Sequence, residues 1–233
     1  MNISIYVQPD SVNGIEYLIR AFDLGLKFSS ILIIDNKPSS CKAKSIVAER
    51  TGGLYEFKDL FDVLCGRGIP CYFIKSINSK SALDLIKILG IDLLVLGAPE
   101  IVHEETIKAV GLGILNCHPS DISIYRGCTN VEWAVYENKK ISLSCHFITK
   151  EIDSGPLVLR EDFHYSVGMT YAQLRTEIIY SQAKTMINGI YRLMNNPNLK
   201  YDIPPMGRYM DVIAGADFEK MLKKINFSEY VPC

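Results

Sequence analysis

Five short apolar runs recur along the first half of this chain: Ile3–Val7, Ile31–Ile34, Cys71–Ile74, Leu93–Leu96 and Gly113–Cys117. Runs that are apolar throughout mark strands covered on both faces, and their alternation with helical stretches predicts an α/β fold with a parallel sheet. Between them, Asn13 is expected to cap a helix through about Lys27, because Ile15, Leu18, Ile19, Phe22 and Leu26 recur at helical spacing. Asp35 and Asn36 close the second run. Helices are expected over Cys41–Arg50, Phe57–Cys65 and His103–Val110, with Gly52-Gly53 breaking the chain after the first. Ser79 and Gly90 bracket another that carries Ala82, Leu85, Ile86 and Leu89.

The second half reads differently. A turn-rich segment with Pro119, Tyr125, Arg126 and Gly127 precedes a helix over Val131–Tyr136. Ser142–Ile148 alternates more than the earlier runs, and with Leu157–Glu161 it suits an antiparallel extension of the sheet. A long amphipathic helix spans Tyr171 to about Met194, ended by Asn195, Asn196 and Pro197. The tail, 198–233, is polar and aromatic, with a last helix near Phe218–Ile225.

Composition narrows the function classes. Of 233 residues, 48% are hydrophobic, enough for a substantial core. The 25 basic and 26 acidic residues balance, which argues against a broad nucleic-acid surface. No apolar run approaches the roughly 20 residues of a membrane helix. The start, MNISIYV, lacks the charge-then-apolar form of a secretory leader, so a cytoplasmic protein away from membranes is expected. The seven cysteines include no CxxC pair and nothing has metal-site spacing; Cys117 and Cys145 read as small core residues.

The chemistry concentrates in Gly113–Leu159. In an open parallel sheet, ligands sit beyond the carboxyl ends of the strands, and the fifth run ends in Asn116, Cys117 and His118. Residues two apart on a strand face the same way, so Asn116 and His118 point together while Cys117 points opposite. An amide donates to a developing oxyanion, and an imidazole donates to the same atom or moves a proton; each such donor lowers a barrier by about 3 kcal/mol. Asp153 is suited to holding the imidazole in one tautomer or accepting a proton from an amine. Alone, an Asn-x-His fixes a turn and an Asp-Ser-Gly-Pro is a generic turn; the weight comes from their combination.

That combination resembles the folate-dependent formyltransferase family, which includes glycinamide ribonucleotide formyltransferases, methionyl-tRNA formyltransferases and sugar N-formyltransferases. The family pattern is Asn-x-His-Pro-Ser, Tyr-Arg-Gly, then Asp-x-Gly. This chain has Asn116-Cys-His118-Pro119-Ser120, Tyr125-Arg126-Gly127 and Asp153-Ser-Gly155 in that order, within a likeness over about residues 1–195. The resemblance implies a Rossmann-like fold with helices on both faces, a catalytic domain over 1–197, and N10-formyltetrahydrofolate as co-substrate without a metal. Asn116, His118 and Asp153 would be catalytic. Gly97, Ala98, Pro99, Glu100, Ile101 and Val102, with Thr149, Lys150, Glu151 and Ile152, would bind the pterin. There backbone groups would read its edge, and Ile101 and Val102 would pack on its face. Ser120, Tyr125, Arg126 and Gly127 would border the acceptor, although Tyr125 and Arg126 suit packing and an ion pair equally well.

The chain departs from the family in two loops. Asp121-Ile122-Ser123-Ile124 replaces a Leu-Leu-Pro run, and Gln8-Pro9-Asp10-Ser11 stands where the glycinamide ribonucleotide enzymes have a Gly/Ser-rich phosphate loop. The tail is also shorter than the basic barrel of about 100 residues in methionyl-tRNA enzymes, so tRNA is not expected. The expected acceptor is a small amine, foremost a nucleotide-linked amino sugar. Glycinamide ribonucleotide or another small amine, water (a formyltetrahydrofolate hydrolase) and non-catalytic folate binding are the alternatives. The tail packs either on the core or on a partner in a homodimer, through Tyr201, Ile203, Met206, Tyr209 and Met210. Trp133 and Phe147 suit the core, His146, on the strand leading to Asp153, suits a buried hydrogen-bonded position more than the lining of the site, and His103 and His164 suit the surface.

Overall fold

The computed structural model describes residues 1–35, 41–196 and 198–232. Asn36 and Pro197, expected to close a strand and a helix, lie outside the described residues. These residues form two compact units, 1–46 with 56–116 and 147–150, and 47–55 with 117–146 and 151–233.

The first unit alternates strand and helix: β1 (Ile3–Val7), α1 (Val12–Asp23), β2 (Ser30–Ile34), α2 (Cys41–Arg50), α3 (Leu60–Leu64), β3 (Cys71–Ile74), α4 (Lys80–Leu89), β4 (Leu93–Gly97), α5 (Glu104–Ala109) and β5 (Gly113–His118). Of these, α2 runs on into the second unit, as do the last residues of β5. Pairing is parallel between β1 and β2, β1 and β4, β2 and β3, and β4 and β5. The core gathers Tyr6, Leu32, Leu94 and Ile114 from strands, Ile86 from α4 and Ile77 from the turn before it. Ser79 caps α4 by accepting from the Ala82 amide, and Gly90 ends it in the left-handed region, as expected. Helix α1 and helix α3 differ from expectation at their ends, α1 stopping at Asp23 rather than near Lys27. Helix α1 is capped by Ser11, whose hydroxyl accepts from the Gly14 amide, so Asn13 already lies in the first turn. Asp59 caps α3 by accepting from the Phe61 and Asp62 amides, which confines the expected Phe57–Cys65 helix to five residues.

The second unit contains β6 (Tyr125–Gly127), α6 (Asn130–Tyr136), β7 (Ser142–Phe147), β8 (Leu157–Asp162), α7 (Tyr171–Asn195), β9 (Arg208–Met210) and α8 (Gly215–Asn226). The expected antiparallel pair is present: β7 runs against β8, with Ser142 opposite Asp162. Strands β6 and β9 were not expected; they pair in parallel as a separate two-stranded sheet, Arg126 opposite Tyr209. The apolar interior of this unit joins α6, α7 and the tail through Val131, Leu174, Ile178, Met210, Met221 and Tyr230. Met210 is therefore a core residue, while Ile203, Met206 and Tyr209 remain exposed.

Among the described residues the strands of the first unit run in the order β3-β2-β1-β4-β5, all parallel, and the second unit adds the antiparallel pair β7-β8, a mostly parallel α/β architecture with helices on both sides. No described helix is long and apolar enough to cross a membrane.

One contact fixes the loop that follows β4. A Cβ added at Gly14 would come within 2.3 Å of the Gly97 carbonyl oxygen, and one at Gly97 within 2.8 Å of the Gly14 Cα. The first residues of α1 thus lie directly on the end of β4. Gly14→Ala is expected to destabilise the protein by about 1–3 kcal/mol through overpacking, read as a lower urea midpoint.

Candidate active site

His118 ends β5, and its strand position is anchored from behind: the Gln182 side chain on α7 donates to the Cys117 carbonyl at 2.9 Å. Asn116 lies two residues upstream on the same strand, so the pleat turns both side chains the same way. Cys117, turned opposite, is buried, and burial pushes its thiol well above the ordinary range. Such a thiol is not a nucleophile at neutral pH.

Asp153 meets His118 from a turn. Its backbone sits at φ 48, in the left-handed region that costs a non-glycine residue about 1–3 kcal/mol. Its Oδ2 lies 3.5 Å from His118 Nδ1 and accepts from the Gly127 amide at 3.1 Å. Its Oδ1 lies 3.7 Å from His146 Nε2, on β7. The carboxylate therefore stands between two imidazoles, with only 9% of its side chain exposed. On the far side of the His118 ring, Asn130 Nδ2 lies 2.6 Å from Nε2. Burial holds the His118 pKa below the ordinary histidine value, and the nearby Asp153 carboxylate opposes that effect. The ring is thus neutral at pH 7 and has a negative partner ready should it gain a proton.

The Tyr-Arg-Gly segment builds the frame around this carboxylate. The Arg126 guanidinium donates from Nε to the Gly207 carbonyl at 2.8 Å and from Nη1 to the Ile152 carbonyl at 2.7 Å, tying β6 to the residue before Asp153. Gly127 has φ 87, and a Cβ there would lie 2.6 Å from the Met210 carbonyl oxygen, so only glycine fits. Ser120 and Tyr125 are buried: the Ser120 hydroxyl donates to the Tyr125 carbonyl at 2.7 Å, and the Tyr125 hydroxyl to Glu137 at 2.6 Å. These two side chains are engaged in holding the turn.

In the first unit, Gly97–Val102 follows β4. Ala98 and Val102 are buried in the core, whereas Pro99 and Ile101 are exposed, Ile101 by 71%. The Glu100 carboxylate turns inward and accepts from the Tyr6 and Ser76 hydroxyls, from the Ile77 amide at 3.3 Å and from Asn78 Nδ2 at 3.2 Å. Asn78 also donates to the Ile101 carbonyl at 2.8 Å and accepts from the His103 amide at 2.8 Å. The loop is fixed from beneath. Thr149 is half-buried and Lys150 exposed at the end of this unit; Glu151 and Ile152 are exposed at the start of the next stretch. Among the described residues no cluster of His, Cys, Asp or Glu could hold a metal ion.

Asn130 and Asn78 carry no functional signal in the sequence, and His146 carries an ambiguous one. Asn130 carries no periodic or motif signal. His146 is a buried histidine and also borders the carboxylate, but the six residues between it and Asp153 do not reveal that a turn folds the two together. Asn78 lies next to the Ser79 cap and looks like ordinary capping chemistry.

A family model described as formyl transferase matches residues 11–190. A methionyl-tRNA formyltransferase of Thermotoga neapolitana is 28% identical over 131 residues, 55% of this chain and 42% of that one. The match spans less than half the length of that relative. Glycinamide ribonucleotide transformylase 1 from Symbiobacterium toebii superposes with a TM-score of 0.64 at 17% identity, over 90% of this chain and 94% of that one. WlaRD, a sugar 3N-formyl transferase solved with dTDP and 5-N-formyl-THF, superposes with a TM-score of 0.61 at 16% identity, over 100% and 82%.

Because its folded His118 pKa is lowered, this residue favours the native state above the ordinary histidine value of about 6.5 and opposes it as pH falls below that value. His118→Gln is therefore expected to lose less stability than the parent between pH 7 and pH 5, measured by urea unfolding at each pH.

Proposed function

The chain belongs to the formyl transferase family, and on that premise we propose that it moves a formyl group from N10-formyltetrahydrofolate to the amine of a nucleotide-linked amino sugar. The observation that carries the reading is the buried His118–Asp153 pair at the end of β5, two residues after Asn116.

The chemistry follows from those groups. The acceptor nitrogen attacks the formyl carbon, and the C=O π pair moves onto oxygen. The Asn116 amide donates to that developing charge. His118, neutral before attack, takes the excess proton of the acceptor nitrogen at Nε2, and Asp153 balances the imidazolium. The oxygen lone pair then re-forms the carbonyl, the bond to N10 breaks with its electron pair, and N10 takes the proton from His118. The products are a formamide and tetrahydrofolate, and no covalent enzyme intermediate is needed. Backbone groups of Gly97–Val102 and Thr149–Ile152 suit the hydrogen-bonding edge of the pterin, with exposed Ile101 against its face. Glu100 and Asn78 would keep that loop in a receptive shape.

Two observations favour a sugar acceptor over glycinamide ribonucleotide. The loop after β1 spends its donors internally: the Ser11 amide bonds to the Gln8 carbonyl, and the Gly14 and Ile15 amides bond to Ser11. Few are left to cradle a phosphate. The sugar enzyme WlaRD matches the whole length of this chain.

Incubation of the purified protein with N10-formyltetrahydrofolate and a panel of nucleotide-linked amino sugars, glycinamide ribonucleotide and methionyl-tRNA tests the acceptor. Formylation of an amino sugar is expected; release of formate without any acceptor would identify a hydrolase instead. His118→Ala should lower kcat by about 10²–10⁴-fold while folate binding, read by fluorescence titration, is retained. Asn78→Ala should raise the KM for the folate about tenfold, equal to about 1.4 kcal/mol, and leave that for the acceptor unchanged.

A further inference from the structure

We infer that Asn130 is a positioning residue that fixes the tautomer of His118 and holds its ring in the neutral form. This rests on the reading of His118 as the proton carrier in formyl transfer.

Asn130 opens α6 and is 2% exposed. Its Nδ2 lies 2.6 Å from His118 Nε2 and 3.3 Å from the Gly127 carbonyl oxygen. An amide nitrogen can only donate, so the ring atom it faces must offer a lone pair. Turning the amide over would place Oδ1 near the Gly127 oxygen, acceptor against acceptor, and would forfeit that bond. The Gly127 carbonyl therefore selects the amide orientation, and the amide selects the ring hydrogen: Nε2 bare, Nδ1 protonated. Nδ1 is the atom that faces Asp153 Oδ2 at 3.5 Å. One glycine thus serves both ends of the imidazole, its amide on Asp153 and its carbonyl on Asn130.

A bond donated to the lone pair of the neutral ring is lost when that atom gains a proton, so it works against the imidazolium. It acts in the same direction as burial of the ring. Asp153, whose other oxygen lies 3.7 Å from His146 Nε2, favours the charged form, and Asn130 and burial favour the neutral one. For proton transfer the acceptor ammonium displaces the Asn130 amide from the Nε2 lone pair, and the Asp153 carboxylate then stabilises the imidazolium. Asn130 Oδ1 is buried and accepts no hydrogen bond from the described residues. An orphan acceptor destabilises a fold, so packing alone is a poor reason for an amide here.

The test is the ¹⁵N spectrum of the His118 ring in the full-length chain, with no acceptor present, across pH 4–9. The parent should show a bare Nε2 and a protonated Nδ1. Asn130→Asp, which offers only acceptors, should move the hydrogen to Nε2 and shift the ring titration to higher pH. Asn130→Ala should give a mixture of tautomers and a smaller shift in the same direction. In turnover, Asn130→Asp should lower kcat about 10²-fold, move the acid limb of its pH profile upward and leave the folate KM unchanged. A parent ring protonated at Nε2, or a titration and tautomer unaffected in Asn130→Asp, would overturn the inference. Should Asn130→Ala fail to fold, the parent and Asn130→Asp spectra decide alone. Since the spectra need no turnover, a wrong acceptor assignment leaves their outcome intact.

Discussion

The carboxylate of Asp153 is the group on which the candidate site turns. A charge with 9% of its side chain exposed must be compensated, and here the compensation is distributed: an amide from Gly127, an imidazole edge from His118 and another from His146. To present both oxygens, residue 153 occupies the left-handed region. That conformation is held because Arg126 grips the preceding carbonyl, at Ile152, while its own strand is pinned to β9. Remove the carboxylate and the histidine loses the one opposing influence on its lowered pKa.

The second unit spends much of its architecture on this turn. The short pairing of β6 with β9 brings residues more than eighty positions apart into register. It places the Met210 carbonyl where no side chain at 127 can stand. The apolar layer of α6, α7 and α8 lies behind that pairing and gives it a rigid backing. In the first unit the corresponding economy is the Gly14–Gly97 contact, which sets the end of β4, and the Glu100 carboxylate, which gathers four donors from Tyr6, Ser76, Ile77 and Asn78.

What the sequence discloses follows from the range of the forces involved. Strands β1, β2 and β4 are legible because they are buried on both faces and so almost wholly apolar, whereas β3 is apolar although Cys71 and Phe73 are exposed. Ser79 and Gly90 are legible because capping is a contact over three or four residues. Ser11 and Asn13 both satisfy the composition of a cap, and only the geometry of the hydroxyl with the Gly14 amide separates them. Strands β6 and β9, at three residues each, are shorter than any period that could announce them. The inward turn of Glu100 was hidden for a different reason: a charged residue in an exposed loop gives no hint that buried Tyr6 needs a partner for its hydroxyl. Asn130 was hidden because its contribution depends on which way a planar amide and a planar ring are rotated, a matter no pattern of residue types encodes.

The strand that carries His118 alternates its faces residue by residue, and this has a chemical corollary. Cys117 shares the backbone with the proposed proton carrier yet lies in the packed interior, its thiol kept protonated by burial. A sulfur nucleophile one peptide away from an activated acyl donor would otherwise be a trap, capturing the carbon unit as a thioester and stalling the cycle. The pleat keeps the thiol insulated, so that the chain can tolerate a reactive element beside its most reactive position.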